Sequence, residues 1–183
     1  MERRLPLNYY DFFEIPHHLS LDLKDLEKRF YALSRKWHPD RFARAGAVER
    51  KSAEDASAIL NDGYRTLRDP ITRAGYLLKE QGFDIGEQQS KEVPPELLEE
   101  VFELNMALEE SDAEAVAKAR VTFEAMQQGI DGELDAKYRE YDEKRSREVL
   151  GEIRGLLNRR RYIENLVQKT ENIGPRMHTN AHE

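Results

Sequence analysis

Trp37-His38-Pro39-Asp40-Arg41-Phe42 decides how the rest of the chain is read, because an amphipathic helical pattern enters it on one side and another leaves it on the other. Upstream, Leu19, Leu23, Leu26, Phe30, Leu33 and Trp37 recur at alternating spacings of four and three, the repeat of one buried helix face. Asp22 stands where an N-cap belongs, and Asp25, three residues on, is a relative of the capping box. Pro39 has no amide to donate and disfavours helical geometry at His38, so the helix is expected to end near Trp37 with the tripeptide hanging from it in solvent. The polar side carries Lys24, Lys28 and Arg35 in one row and Arg29 and Lys36 in the next. Downstream, Ala56, Ile59, Leu60, Gly63, Tyr64 and Leu67 fall on one stripe that Asp69-Pro70 stops. Two such helices joined by a tight loop make an antiparallel hairpin. The aromatic run Tyr9-Tyr10-Asp11-Phe12-Phe13, ended by Ile15-Pro16, is expected to pack across its open side.

From the residues alone, His38 and Asp40 are either a polar turn capping helix ends or a docking tip, and the cationic row is either a solvated face or part of that dock. An acid-base pair is disfavoured, since an exposed tip has no pocket to tune its groups. The combination of patterns resembles a J-domain: a short first helix, a basic second helix, the His-Pro-Asp loop and a third helix with an Asn-x-x-Tyr-x-x-Leu pattern, here Asn61-Asp62-Gly63-Tyr64-Arg65-Thr66-Leu67. Gly63 departs from it, an alanine being more usual there, and costs about 1 kcal/mol in a helix interior. The resemblance implies an activator of a heat-shock-protein-70-class ATPase. His38, Pro39 and Asp40 would dock on that chaperone with Lys24, Lys28, Arg29, Arg35 and Lys36. The chemistry would be the partner's, and the chain itself no enzyme.

The 183 residues suffice for one or two small domains with a real core. Lys+Arg 29 against Asp+Glu 36 gives a net charge of -7, which argues against a nucleic-acid partner while leaving room for a local cationic face. With 36% charged residues and few Gly and Pro, the composition fits a helix-rich soluble protein. There is no cysteine, so no disulfide, no thiolate nucleophile and no cysteine metal cluster. Met1-Glu2-Arg3-Arg4 leads at once into Pro6 and the aromatic cluster, without a run apolar enough for a signal peptide or membrane span, so a cytoplasmic location off the membrane is expected.

Asp69 can cap a short helix with Pro70 at its first position, followed by Ala74, Tyr76, Leu77 and Leu78 and a stop at Gln81-Gly82. The expected layout is therefore a J-like region with its junction helix over 1–82, a linker over 83–93, helices only over 94–172 and a flexible tail over 173–183. Pro94-Pro95 restarts regular structure. One helix runs from Glu96 to about Glu110. A second follows the Ser111-Asp112 cap with Val116, Ala119, Phe123, Met126 and Ile130 and continues through Leu134 and Tyr141, weakened at Gly129 and Gly132. A third carries Val149, Ile153, Leu156, Ile163 and Val167. Short connections between long helices predict a three-helix bundle.

The first bundle helix carries a core stripe, Leu97, Val101, Leu104 and Leu108, and a second apolar row, Leu98, Phe102 and Met106, with Glu99, Glu103 and Glu110 beside it. One stripe is enough for a bundle, so the second row is either covered by the linker or junction helix or is left for a partner. A hairpin of this kind followed by such a bundle is similar to the HscB-type co-chaperones of iron-sulfur cluster assembly. The likeness extends through Arg68-Asp69-Pro70-Ile71-Thr72-Arg73-Ala74, Leu77-Leu78 and Gly82-Phe83-Asp84. It implies an all-α, L-shaped monomer whose N-terminal J-domain hairpin binds the chaperone and whose C-terminal three-helix bundle holds the cluster scaffold protein through Leu98, Phe102, Glu103, Met106, Glu110 and Tyr162. Met106 departs from an acidic residue found in relatives, and Tyr162 replaces a Phe.

Other clusters are read as structural. Arg159-Arg160-Arg161 lies late in a helix, where cations favour the macrodipole, while His17-His18 are adjacent and His178 and His182 fall in the tail, so no metal or cofactor is expected. The alternatives are a helical adaptor with an inactive J-like loop and an active J-domain protein serving an unrelated client.

Overall fold

The computed structural model describes residues 8–84 and 95–171. Residues 1–7, most of the expected linker, and the tail with His178 and His182 lie outside them. Seven α-helices and no strand occur among the described residues: α1 Tyr9–Phe12, α2 Leu23–Trp37, α3 Ala47–Arg68, α4 Pro70–Glu80, α5 Leu98–Glu109, α6 Ala113–Lys144 and α7 Arg147–Glu171. They divide into two compact units. The first holds α1 to α4 together with residues 138–147, the end of α6 and the start of α7; the second holds α5 and the rest of α6 and α7.

In the first unit α2 and α3 form the hairpin, with Phe30 stacked on Tyr64 at 4.3 Å between ring centroids. Asp22 caps α2, accepting from the amides of Lys24 and Asp25 at 2.9 and 3.3 Å. The Asp25 side chain does not reach back to close a capping box; it takes the Arg29 Nε at 2.7 Å, a salt-bridged partner one turn on. The α2 stripe is only partly buried. Leu26 is 1% exposed but Leu23 is 48% exposed, although α2 packs on α3. Leu19, read as the head of that stripe, is buried in the loop before the helix.

Gly63 has a packing reason. A Cβ there would come within 3.0 Å of both Tyr9 and Phe13, so the missing side chain is what lets the α1 rings lie on α3. Tyr9 also stacks on Tyr76 of α4 at 4.6 Å and donates its amide to the Tyr76 hydroxyl at 3.0 Å. Asp69 caps α4 through the Thr72 amide at 2.7 Å, with Pro70 in the first turn.

Residues 138–147 complete this unit. The Asp142 carboxylate accepts from the amides of Leu19 and Ser20, each at 2.7 Å, while the Leu19 carbonyl accepts from the buried Arg73 Nε at 2.9 Å. The Arg145 guanidinium donates to the His17 carbonyl, and Arg147 lies over the Phe83 ring at 4.5 Å. Leu19 is thus clamped on both sides by charged groups, and Arg73 is held by the Leu19 and Leu67 carbonyls.

The second unit is the three-helix bundle. Phe123, Leu134, Ile153 and Ile163 are all within 2% of complete burial. Ion pairs align α6 antiparallel to α7: Lys137 to Glu152 at 2.6 Å, Arg159 to Glu133 at 3.3 Å, Arg160 to Asp131 at 2.5 Å and Arg120 to Glu171 at 3.1 Å. Arg159 and Arg160 are therefore cross-helix struts. Gly129 and Gly132 do not break α6, since both sit on its exposed face with open space where a Cβ would be. On α7 the buried set includes Leu150 and Leu166, while Leu156 and Val167 are half-buried. At the start of α5, residues Pro95–Leu97 form a 3-10 turn and the α-helix proper begins at Leu98, not Glu96.

Candidate docking surfaces

His38 ends α2 in an extended conformation, and Pro39–Phe42 make a 3-10 turn. The ring Nδ1 of His38 accepts from the Asp40 amide at 3.3 Å, so the histidine caps the turn that follows it. Its side chain is 55% exposed and that of Asp40 is 90% exposed. Arg41 folds back to the Arg35 carbonyl at 3.3 Å, satisfying an open end of α2, and Phe42 stacks on Trp37 with centroids 6.1 Å apart. Local bonds thus hold the loop shape while its polar tip faces solvent, the geometry of a contact surface and not of a reaction pocket.

Lys24, Lys28, Arg35 and Lys36 are exposed along α2, and Lys36 lies over the Trp37 ring at 5.5 Å. Arg29 stands apart. Besides Asp25, its guanidinium donates to the carbonyls of Phe13 and Glu14 at 3.1 and 2.9 Å. Glu14 sits at φ 55, and Arg29 braces the end of α1 there. Tyr31, missed in the sequence reading, is 55% exposed within the cationic row; its place off the apolar stripe was the available signal.

The second surface is the outer face of α5. Leu97, Leu104 and Ala107 turn inward, whereas Leu98, Phe102 and Met106 are 55, 66 and 42% exposed. No described element covers that row, and Glu103 and Glu110 are exposed beside it. Lys169 of α7 donates to Asn105 of α5 at 2.8 Å, a side-chain contact between the two helices. Tyr162 is half-buried, and burial pushes its phenol above the ordinary range. Toward α6 the same row borders a groove whose far wall includes Lys118, Ala119 and Thr122; Ala119 belongs to the apolar stripe read from the sequence, whereas Lys118 and Thr122 had no distinguishing pattern there.

Among the described residues no group of three or more His, Cys, Asp or Glu is arranged to hold a metal ion, and no helix is long and apolar enough to cross a membrane.

The chain matches the DnaJ domain over residues 8–76 and the HSCB C-terminal oligomerisation domain over residues 93–171. It is similar to a co-chaperone protein HscB homolog of Neisseria meningitidis, 40% identical over 105 residues, a match spanning 57% of this chain and 63% of that relative. A homolog from Vibrio vulnificus is 41% identical over 118 residues, 62% of this chain and 68% of the relative. Among solved structures, chaperone HscB from Vibrio cholerae superposes with a TM-score of 0.64 at 28% identity, covering 91% of this chain and 97% of that one. With both parts of the chain matched in this order and relatives at this identity, the chain belongs to the HscB family of co-chaperones.

Proposed function

We propose that this protein is a co-chaperone that stimulates the ATPase of a heat-shock-protein-70-class chaperone and delivers the iron-sulfur cluster scaffold protein to it during cluster assembly and transfer. It acts as a cytoplasmic monomer, with residues 1–82 docking on the chaperone and residues 94–172 holding the client. The observation that carries the reading is one chain with two exposed surfaces of opposite character, the His38-Pro39-Asp40 tip on a cationic helix and the acid-rimmed Leu98-Phe102-Met106 row. Leaving three such apolar side chains uncovered forgoes roughly 1.5–3 kcal/mol each, a cost that a bound partner recovers.

His38, Pro39 and Asp40 contact the chaperone together with Lys24, Lys28, Arg35 and Lys36, while Arg29 contributes by fixing α1 against α2. Leu98, Phe102, Glu103, Met106, Glu110 and Tyr162 contact the scaffold protein. ATP hydrolysis takes place in the chaperone, and this chain supplies binding geometry to it.

Two measurements test the proposal. His38→Gln is expected to abolish ATPase stimulation in a chain that folds as the wild type does; stimulation at the wild-type level would mark an adaptor with a silent loop. Calorimetry against the scaffold protein is expected to give binding that a folded Leu98→Ala/Phe102→Ala/Met106→Ala variant loses. No binding by the wild type would point to an unrelated client.

A further inference from the structure

A groove of about 360 Å³ lies between α5 and α6, within the bundle. Its α5 wall is the margin of the exposed row, Phe102, Glu103, Met106 and Glu110, and Glu100 borders it further along. Phe123, 0% exposed, is part of its lining from the core side. The α6 wall is cut low. Ala115, Ala119 and Thr122 follow one another at spacings of four and three, so small side chains stand on the one face where Leu or Met would close the gap. The Thr122 hydroxyl is turned back onto the Lys118 carbonyl at 3.2 Å.

The electrostatics of the groove are lopsided. Glu100, Glu103 and Glu110 have no ion-pair partner among the described residues, and α5 contains no lysine or arginine. Lys118 is the single basic side chain on the lining, and it too is unpaired among the described residues. An apolar trough with a surplus of unneutralised carboxylates is complementary to a cation carried next to an apolar side chain, and poorly matched to an acidic or purely polar segment.

We infer that the α5–α6 groove is the selective part of the client-docking surface and takes a cationic segment of the client protein, a lysine or arginine held between Glu103 and Glu110 with an apolar neighbour lying over Ala119 against Phe102 and Met106. The inference rests on the reading of the outer α5 face as the client site, and it adds α6 to a surface otherwise built from α5 and α7.

The test uses the full chain, with the scaffold protein as the probe in titration calorimetry. Ala119→Trp, which fills the trough from the α6 side, is expected to weaken binding roughly tenfold. Glu100→Gln is expected to weaken it, and Lys118→Glu to tighten it, each by about two- to fivefold at low salt. The Lys118→Glu gain should shrink as salt is added. ATPase stimulation measured without the scaffold protein reports on the first unit alone and serves as the control for all three variants. Should Ala119→Trp fail to fold by circular dichroism, the sign of the exposed Lys118→Glu change still decides. Weaker or unchanged binding by Lys118→Glu, or wild-type binding by folded Ala119→Trp, overturns the groove while the Leu98-Phe102-Met106 triple variant still loses binding and the α5 reading stands. A wild type that does not bind the scaffold protein overturns both.

Discussion

Two residues carry stability effects that run against their sequence propensity. Replacing Gly63 by alanine raises helix propensity by up to about 1 kcal/mol, but the new Cβ meets Tyr9 and Phe13 at 3.0 Å. Phe13 is 1% exposed and has no room to yield, and displacing Tyr9 disturbs its stack on Tyr76. Gly63→Ala is therefore expected to destabilise the chain by about 1 kcal/mol net, read as a lower midpoint in denaturant titration; a gain would mean that α1 shifts freely. Tyr10 is the second case. It is 0% exposed, its hydroxyl has no hydrogen-bond partner among the described residues, and burial raises its phenol well above the ordinary 10.0. The neutral form is the one the fold prefers, so this contribution is complete below about pH 10 and is lost as pH rises toward the raised value. Thermal melts at increasing pH are expected to show a decline above that point, which Tyr10→Phe makes shallower. At neutral pH the same variant is expected to be as stable as the wild type or about 1 kcal/mol more so.

At the scale of elements, the end of α6 does work that its amphipathic stripe does not announce. Asp142 accepts two amide bonds at 2.7 Å from the loop before α2, and charge-assisted bonds of this length are the stronger kind. Asp142→Ala is expected to cost about 2–3 kcal/mol, since it strands the amide of Leu19, which is 1% exposed. Asp142→Asn, which keeps one good acceptor, should lose less. Equal stability of Asp142→Ala and wild type in urea would remove this clamp from the account. Helix α5 is the opposite case. Its core stripe and its second apolar row were both legible in the sequence, and only the tertiary structure decided that Leu98, Phe102 and Met106 are left exposed.

For the whole molecule, the first unit is not contiguous in sequence, because residues 138–147 belong to it. A fragment of residues 1–84 lacks Asp142, Arg145 and Arg147, and with them the partners of Leu19, Ser20, His17 and Phe83. It is expected to melt roughly 10 °C or more below the first transition of the full chain, as followed by circular dichroism at matched concentration. The net charge of -7 likewise averages a cationic α2 and an α5 without a single base. The sequence by itself determined the helices, their caps at Asp22 and Asp69, the loop at His38-Pro39-Asp40 and the order of the two parts, because these follow from periodicity, proline sterics and capping within a few residues. What Gly63 is for, where Arg29 and Asp142 point, and the low α6 wall facing Glu103 and Glu110 were decided by the tertiary structure alone. Those are close approaches between residues far apart in the chain, and local spacing carries no information about them.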